Sequence, residues 1–166
     1  MQKLLAVIAA FITATNAWAE ALEPVELTPI NHIPAELVIA GPDGQETRYS
    51  PATLEELTTY RLRTTTPWRS DPAEFDGILL SDLLRANGLE EVAEIRVTAE
   101  NDYATVIPRA VWEDVPVLIA TRVDGQPHSR RERGPIQFVI PMEAYSSSTV
   151  AKESHLVWMA ARIEPR

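Results

Sequence analysis

Phe75-Asp76-Gly77-Ile78-Leu79-Leu80-Ser81-Asp82-Leu83-Leu84 is the stretch whose reading decides the fold. Its apolar residues at 79, 80, 83 and 84 have the spacing of an amphipathic helix. That predicts a helix over Leu79 to Asn87, with Gly88 placed to end it. Upstream, Arg61 to Thr66 is β-prone because threonine is β-branched. Pro67 to Glu74 reads as a loop carrying Trp68 and Arg69. Downstream, Glu94 to Thr98 alternates, with Ile95 and Val97 on one side, and Tyr103 to Ile107 reads as another strand. Val117 to Arg122 and Ile136 to Ile140 are short apolar runs suited to buried strands, and Asp124-Gly125 is a hairpin-type turn after the first.

Further out, Glu36 to Ala40 reads as a strand, Gly41-Pro42-Asp43-Gly44 as a turn, and Gln45 to Tyr49 as a returning strand. Ser50-Pro51 has the form of an N-cap followed by proline at the first helical position. It opens a short helix through Leu54 and Leu57. Arg109 to Asp114 suits a single helical turn. Glu143 to Glu153 is polar and serine-rich and predicts no element, and His155 to Ile163 reads as a final strand. There is no internal repeat or low-complexity linker. These elements predict an α+β single domain over 36–166, a mixed β-sheet with a few short helices, after an extended, proline-punctuated lead-in over 20–35.

The first residues stand apart. Lys3 is a short positive region, Leu4 to Ile12 is apolar, and Ala17-Trp18-Ala19 is a cleavage pattern, so residues 1–19 read as a secretory signal peptide. The apolar run is too short for a bilayer, which needs roughly 20 residues. Export to the periplasm follows as an expectation, as does a mature chain that does not span the membrane. Removing Lys3, the one charge in that segment, takes the formal net charge from −9 to −10. Such a surface repels phosphates, which argues against nucleic acid and anionic lipid as partners. The chain has no cysteine, which excludes disulfides, thiolate metal sites and thiol nucleophiles together.

The 75–84 stretch, Asn101-Asp102-Tyr103, Asp124-Gly125-Gln126-Pro127, Arg133-Gly134-Pro135 and a closing Trp158 follow one another in a family's order. Over residues 36–164 the sequence resembles the molybdopterin-binding domain of sulfite-oxidase-like proteins. In catalytic members a cysteine thiolate ligates the molybdenum. Its position falls near Thr64 or Thr65 here, and the Arg-, Asn- and Gly-rich segment that follows it in those enzymes is missing. The chain looks closer to a subgroup of small exported proteins with a Thr-Thr-Thr-x-Trp segment and no cysteine. That resemblance implies a reduced, metal-free pterin as ligand. It implies as partner the periplasmic domain of a membrane diguanylate cyclase or phosphodiesterase, or of a histidine kinase. The alternative is a molybdopterin-dependent oxidoreductase that holds its cofactor without a cysteine. A third possibility is a structural subunit that kept the fold and lost the ligand.

A pterin presents a flat ring, an edge with two N–H donors and a polyol tail. It calls for a stacking face, a carboxylate or carbonyl, and hydroxyl or basic groups. Trp68 either stacks on the ring or caps the sheet end as a packing residue. Asp102, between Asn101 and Tyr103, either accepts both N–H donors or forms a turn. Tyr103 either donates to a carbonyl or packs. Thr64 and Thr66 share one face of a regular strand and Thr65 the other. The resemblance places that strand end at the ligand pocket. Arg130, Arg131 and Arg133 form a basic cluster that meets a polyol, a phosphate or an acidic partner surface, or is simply solvated; Arg69 and Arg122 are weaker candidates of that kind. His32, His128 and His155 lack metal-site spacing. No G-x-S-x-G or phosphate-loop motif is present.

Overall fold

The computed structural model describes residues 22–166, so the leader reading at 1–19 lies outside the described residues. In chain order the elements are β1 (Leu22–Pro24), β2 (Leu37–Ala40), β3 (Glu46–Tyr49), α1 (Pro51–Leu54), β4 (Thr59–Thr66), β5 (Arg69–Leu79), α2 (Leu80–Ala86) and β6 (Glu94–Ala99). There follow β7 (Ala104–Pro108), α3 (Arg109–Asp114), β8 (Leu118–Val123), β9 (Gln126–Pro127), β10 (Gln137–Val139), α4 (Met142–Ser147) and β11 (Ala160–Pro165). Single 3-10 turns cover Arg130–Glu132 and Glu153–His155.

Local chemistry accounts for several boundaries. Ser50 caps α1: its hydroxyl accepts from the Thr53 amide, and Thr53 returns a bond to the Ser50 amide. In α2, Leu80, Leu83 and Leu84 are fully buried on one face, as the 3.6-residue period requires. Gly88 follows at φ +67°, a left-handed conformation that glycine adopts without a Cβ penalty. Asp124 and Gly125 both have positive φ, which suits the twist of the two-residue turn between β8 and β9.

The α+β class holds, but the strands form two sheets rather than one. The first has the order β1-β4-β5-β8-β10, with β9 on β8, and all its pairs are antiparallel. The second has the order β3-β2-β11-β6-β7 and is mixed, because β11 runs parallel to β2. One core holds Leu37, Ile39, Val97 and Ile163 of the second sheet together with Ile78, Ile119 and Phe138 of the first and the apolar faces of the helices. A smaller cluster around Leu62, Phe75 and Leu118 covers the other face of the first sheet. Strands β5 and β8 approach closely at a register shift beside Gly77, where an added Cβ would lie 2.0 Å from the Ile119 carbonyl oxygen.

Three readings are corrected. Residues 69–74 are strand, not loop: Pro67 and Trp68 form the tip of the β4–β5 hairpin, and Arg69 pairs with Thr66. Pro72 lies at the irregularity between the Thr64–Ala73 and Thr66–Arg69 pairs and beyond the end of the β8 pairing, with no register partner on either side, so a missing N–H is tolerated. His155–Ile163 is not one strand. Met159, at φ +49°, breaks it, and only Ala160 onward pairs with β2 and β6. The serine-rich stretch contains α4, whose Ala144 is fully buried.

Arg122 is not a ligand candidate on the surface. It is 4% exposed and donates to both Glu55 carboxylate oxygens, at 2.9 and 2.5 Å, while the Thr121 hydroxyl donates to the same carboxylate at 2.6 Å. His32 of the lead-in lies 3.1 Å away on Glu55, so this buried pair also holds the lead-in against β8. Burial alone would raise the Glu55 pKa, but the bonds from Arg122 and Thr121 outweigh it and hold the carboxyl below its ordinary 4.5. Arg122→Met, which strands the Glu55 charge, should destabilise the fold by about 3–5 kcal/mol in urea denaturation. The double variant Arg122→Met/Glu55→Leu should recover most of that loss.

Candidate functional site

Three chain segments from different parts of the fold meet at one end of the molecule. The β4–β5 hairpin tip of the first sheet brings Trp68. The β6–β7 turn of the second sheet brings Asn101 and Tyr103. The crossing segment from the 3-10 turn at Glu153 to Trp158 closes the space between them. These residues, with Ser154 and Leu156, line a cleft of about 390 Å³. Its walls are mainly aromatic and aliphatic, and its polar groups sit at the rim.

Trp68 and Trp158 meet edge to face, with ring centroids 4.6 Å apart and planes at 88°, an arrangement favoured by the ring quadrupoles. Arg133 stands at φ +80° after the 3-10 turn. Its guanidinium lies 4.6 Å from the Trp158 centroid and 5.4 Å from that of Trp68, a cation–π contact with both indoles. Arg133 Nε and Trp158 Nε1 are buried donors with no hydrogen-bond partner. Behind Trp68 lies a second, polar cleft of about 360 Å³, reached by Thr66, Arg69, His128, Arg131 and Arg133. Trp68 lines both, so it forms the partition between an apolar and a polar compartment.

Of the ten residues singled out from the sequence, Trp68, Asn101 and Tyr103 come together on the apolar cleft, and Thr66, Arg131 and Arg133 reach the polar one. The other four do not line either. Thr64 is buried; its hydroxyl accepts from the Met142 amide at 2.9 Å and donates to the Thr65 carbonyl at 3.1 Å, so it anchors α4 to β4. Thr65 lies on the opposite face. Asp102 occupies the turn at φ +65° and is exposed, which fits its turn-forming reading. Arg130 is spent on Glu100, at 2.7 and 2.8 Å, and on the Pro34 carbonyl at 3.0 Å. It fastens the lead-in to the β6–β7 turn.

Asn101 Oδ1 accepts from the Tyr103 amide, and the Tyr103 hydroxyl donates to the Ser154 carbonyl at 3.1 Å. The second bond ties the β6–β7 turn to the crossing segment and sets the cleft width. Glu153 and Ser154 fall at the end of the polar, serine-rich stretch and Leu156 in the segment expected as a strand, so residue type and spacing do not mark any of the three as site residues. Trp158 was visible only as part of the family's order of motifs.

A family model described as oxidoreductase molybdopterin binding domain matches residues 35–152, well over half of the chain. No curated protein matches the sequence. The donor set does not suit the metal of a molybdopterin cofactor. The chain has no thiolate, the Thr64 hydroxyl is already paired twice, and among the described residues no three His, Cys, Asp or Glu side chains are grouped to hold an ion. The organic part fares better: the apolar cleft supplies flat walls in Trp68 and Tyr103, and unpaired donors stand beside them.

His128 sits at the floor of the polar cleft, 2% exposed, with Nε2 2.7 Å from Gln137 Oε1 and with Nδ1 buried and unpartnered. Burial lowers its pKa below 6.5, only partly opposed by the bond to Gln137. His155 is likewise lowered by burial and by the Lys152 charge. A histidine held neutral in the fold takes up its proton more readily when unfolded. Its contribution is therefore complete above pH 6.5 and is lost as pH falls below that value. Unfolding free energy should be flat from pH 8 to 7 and decline below 6.5, well before Glu55 titrates. The slope should flatten in His128→Gln, by up to about 1.4 kcal/mol per pH unit for the proton removed.

Proposed function

The chain belongs to the oxidoreductase molybdopterin binding domain family, and from that premise we propose that it is an exported, non-catalytic pterin-binding protein. In this proposal it reports ligand state to the periplasmic domain of a membrane sensor, a diguanylate cyclase or phosphodiesterase or a histidine kinase. The ligand is a reduced pterin without metal. The observation that carries the reading is the apolar cleft beside the Trp68–Trp158 pair in a chain with no sulfur ligand. A flat heterocycle fits between such walls, whereas a molybdenum ion finds no thiolate at Thr64 or Thr65, the region where the resemblance puts the family's cysteine.

Several features support the rest. The leader pattern at residues 1–19 is what export requires. Among the described residues no helix is long and apolar enough to cross a membrane, which suits a protein that docks on a sensor rather than embedding beside it. Relay needs no large movement. The ligand has only to bind one docking state more tightly than the other. The cleft is built for that, because its walls come from both sheets. A ring seated there contacts the β4–β5 tip, the β6–β7 turn and the crossing segment together.

Calorimetric titration of the purified chain with reduced and oxidised pterins, with metal analysis of the same preparation, tests the reading. One pterin should bind per chain, with molybdenum well below stoichiometric after expression with cofactor supply. Trp68→Ala should fold and lose about ten- to hundredfold in affinity, the worth of one stacked face. Stoichiometric molybdenum would carry the oxidoreductase alternative instead. Absence of heat and of thermal shift at high ligand concentration would end the pterin reading.

A further inference from the structure

The apolar cleft holds one carboxylate, that of Glu153. The other acids nearby are placed or paired elsewhere: Glu100 is paired with Arg130, the Glu132 carboxylate takes the Ser129 hydroxyl, and Asp102 points from an exposed turn that does not line the cleft. The Glu153 carboxylate has no hydrogen bond or ion pair among the described residues. Its backbone, by contrast, is pinned. The Glu153 carbonyl accepts from the Leu156 amide at 3.0 Å, the His155 ring accepts from the Lys152 amide at 3.1 Å, and Tyr103 holds the next carbonyl, that of Ser154, at 3.1 Å. A fixed main chain thus presents an uncommitted anion at the rim of an apolar slot.

Resting on the pterin reading of this cleft, we propose that Glu153 is its specificity-determining residue. It selects ring systems that present two adjacent N–H donors, as the 2-amino-4-oxo edge does. Two N–H groups directed at one carboxylate form charge-assisted bonds, stronger than neutral pairs. An isostere with a 2-oxo group turns lone pairs toward the anion and loses that pairing. The ring would be indifferent to this change if stacking on Trp68 alone held it, since both heterocycles have the same flat face. This is the role the sequence suggested for Asp102, transferred in this proposal to Glu153, a residue fifty-one positions along.

The experiment compares tetrahydropterin (2-amino-4-oxo) with tetrahydrolumazine (2,4-dioxo), both kept reduced under exclusion of oxygen, by calorimetry on the full chain and on Glu153→Gln. Glu153 is exposed, so the variant should fold, and a matching thermal melt verifies it. The wild type should prefer pterin by about tenfold or more, the worth of one charge-assisted bond. Glu153→Gln should weaken pterin and bring the ratio close to one, because an amide can also donate to the 2-oxo group. Pterin binding with an unchanged ratio in the variant would overturn the role of Glu153 while leaving the pterin reading intact. Binding of neither compound by the wild type would overturn both.

Discussion

The site depends on a constraint of connectivity. Residues 157–160 are hydrogen-bonded to both sheets at once. The Phe138 amide of β10 donates to the Val157 carbonyl at 2.8 Å, the Glu100 amide after β6 donates to the Met159 carbonyl at 2.8 Å, and the Ala160 amide donates to Ile136 at 2.9 Å. The last strand of the chain must then enter the middle of the second sheet, between β2 and β6. A segment bound on both sides cannot relax independently of either sheet. Trp158 is therefore carried to the seam where the two hairpin tips converge, and the aromatic cleft follows from that seam.

Charge is distributed in keeping with this plan. The buried pairs are complete: Glu55 with Arg122, and Asp76, wholly buried, with Arg61 at 2.8 and 3.0 Å. Each is anchored on the first sheet, the one through Arg122 of β8 and the other through Arg61 of β4 and Asp76 of β5, outside the apolar cleft, and each satisfies a carboxylate that would otherwise be costly to desolvate. At the cleft the pattern reverses. Arg133 rests on two indoles with a buried Nε unpaired, and Glu153 has no partner. Groups that the fold leaves unsatisfied at a concave aromatic surface are where a ligand gains most from binding.

The chain has no sulfur ligand, and the neighbourhood where the resemblance puts one is used structurally. Thr64, in the region where the resemblance puts the cysteine, turns its hydroxyl to the Met142 amide and so stitches β4 to α4. Trp68, four residues onward at the β4–β5 hairpin tip, lines both clefts.

Much of the fold was legible because it rests on local rules. The α2 stripe of Leu80, Leu83 and Leu84, the Ser50 cap, the Asp124-Gly125 turn and the alternation at Ile95 and Val97 each state their structure within a few residues. The division into two sheets was not legible, since strand pairing joins residues far apart: β11 meets β2 across most of the chain. The candidate site divides the same way. Trp68 and Asn101-Asp102-Tyr103 stood out by residue type, but sequence could not say that Asp102 faces solvent, that Thr64 and Arg130 are already paired, or that Glu153 shares a cleft with Trp68. By itself the sequence determined most of the elements, the family resemblance and the absence of a thiolate, all properties of residue type and near neighbours. Only the tertiary structure decided which side chains converge, because convergence is set by where the crossing segment ties one sheet to the other.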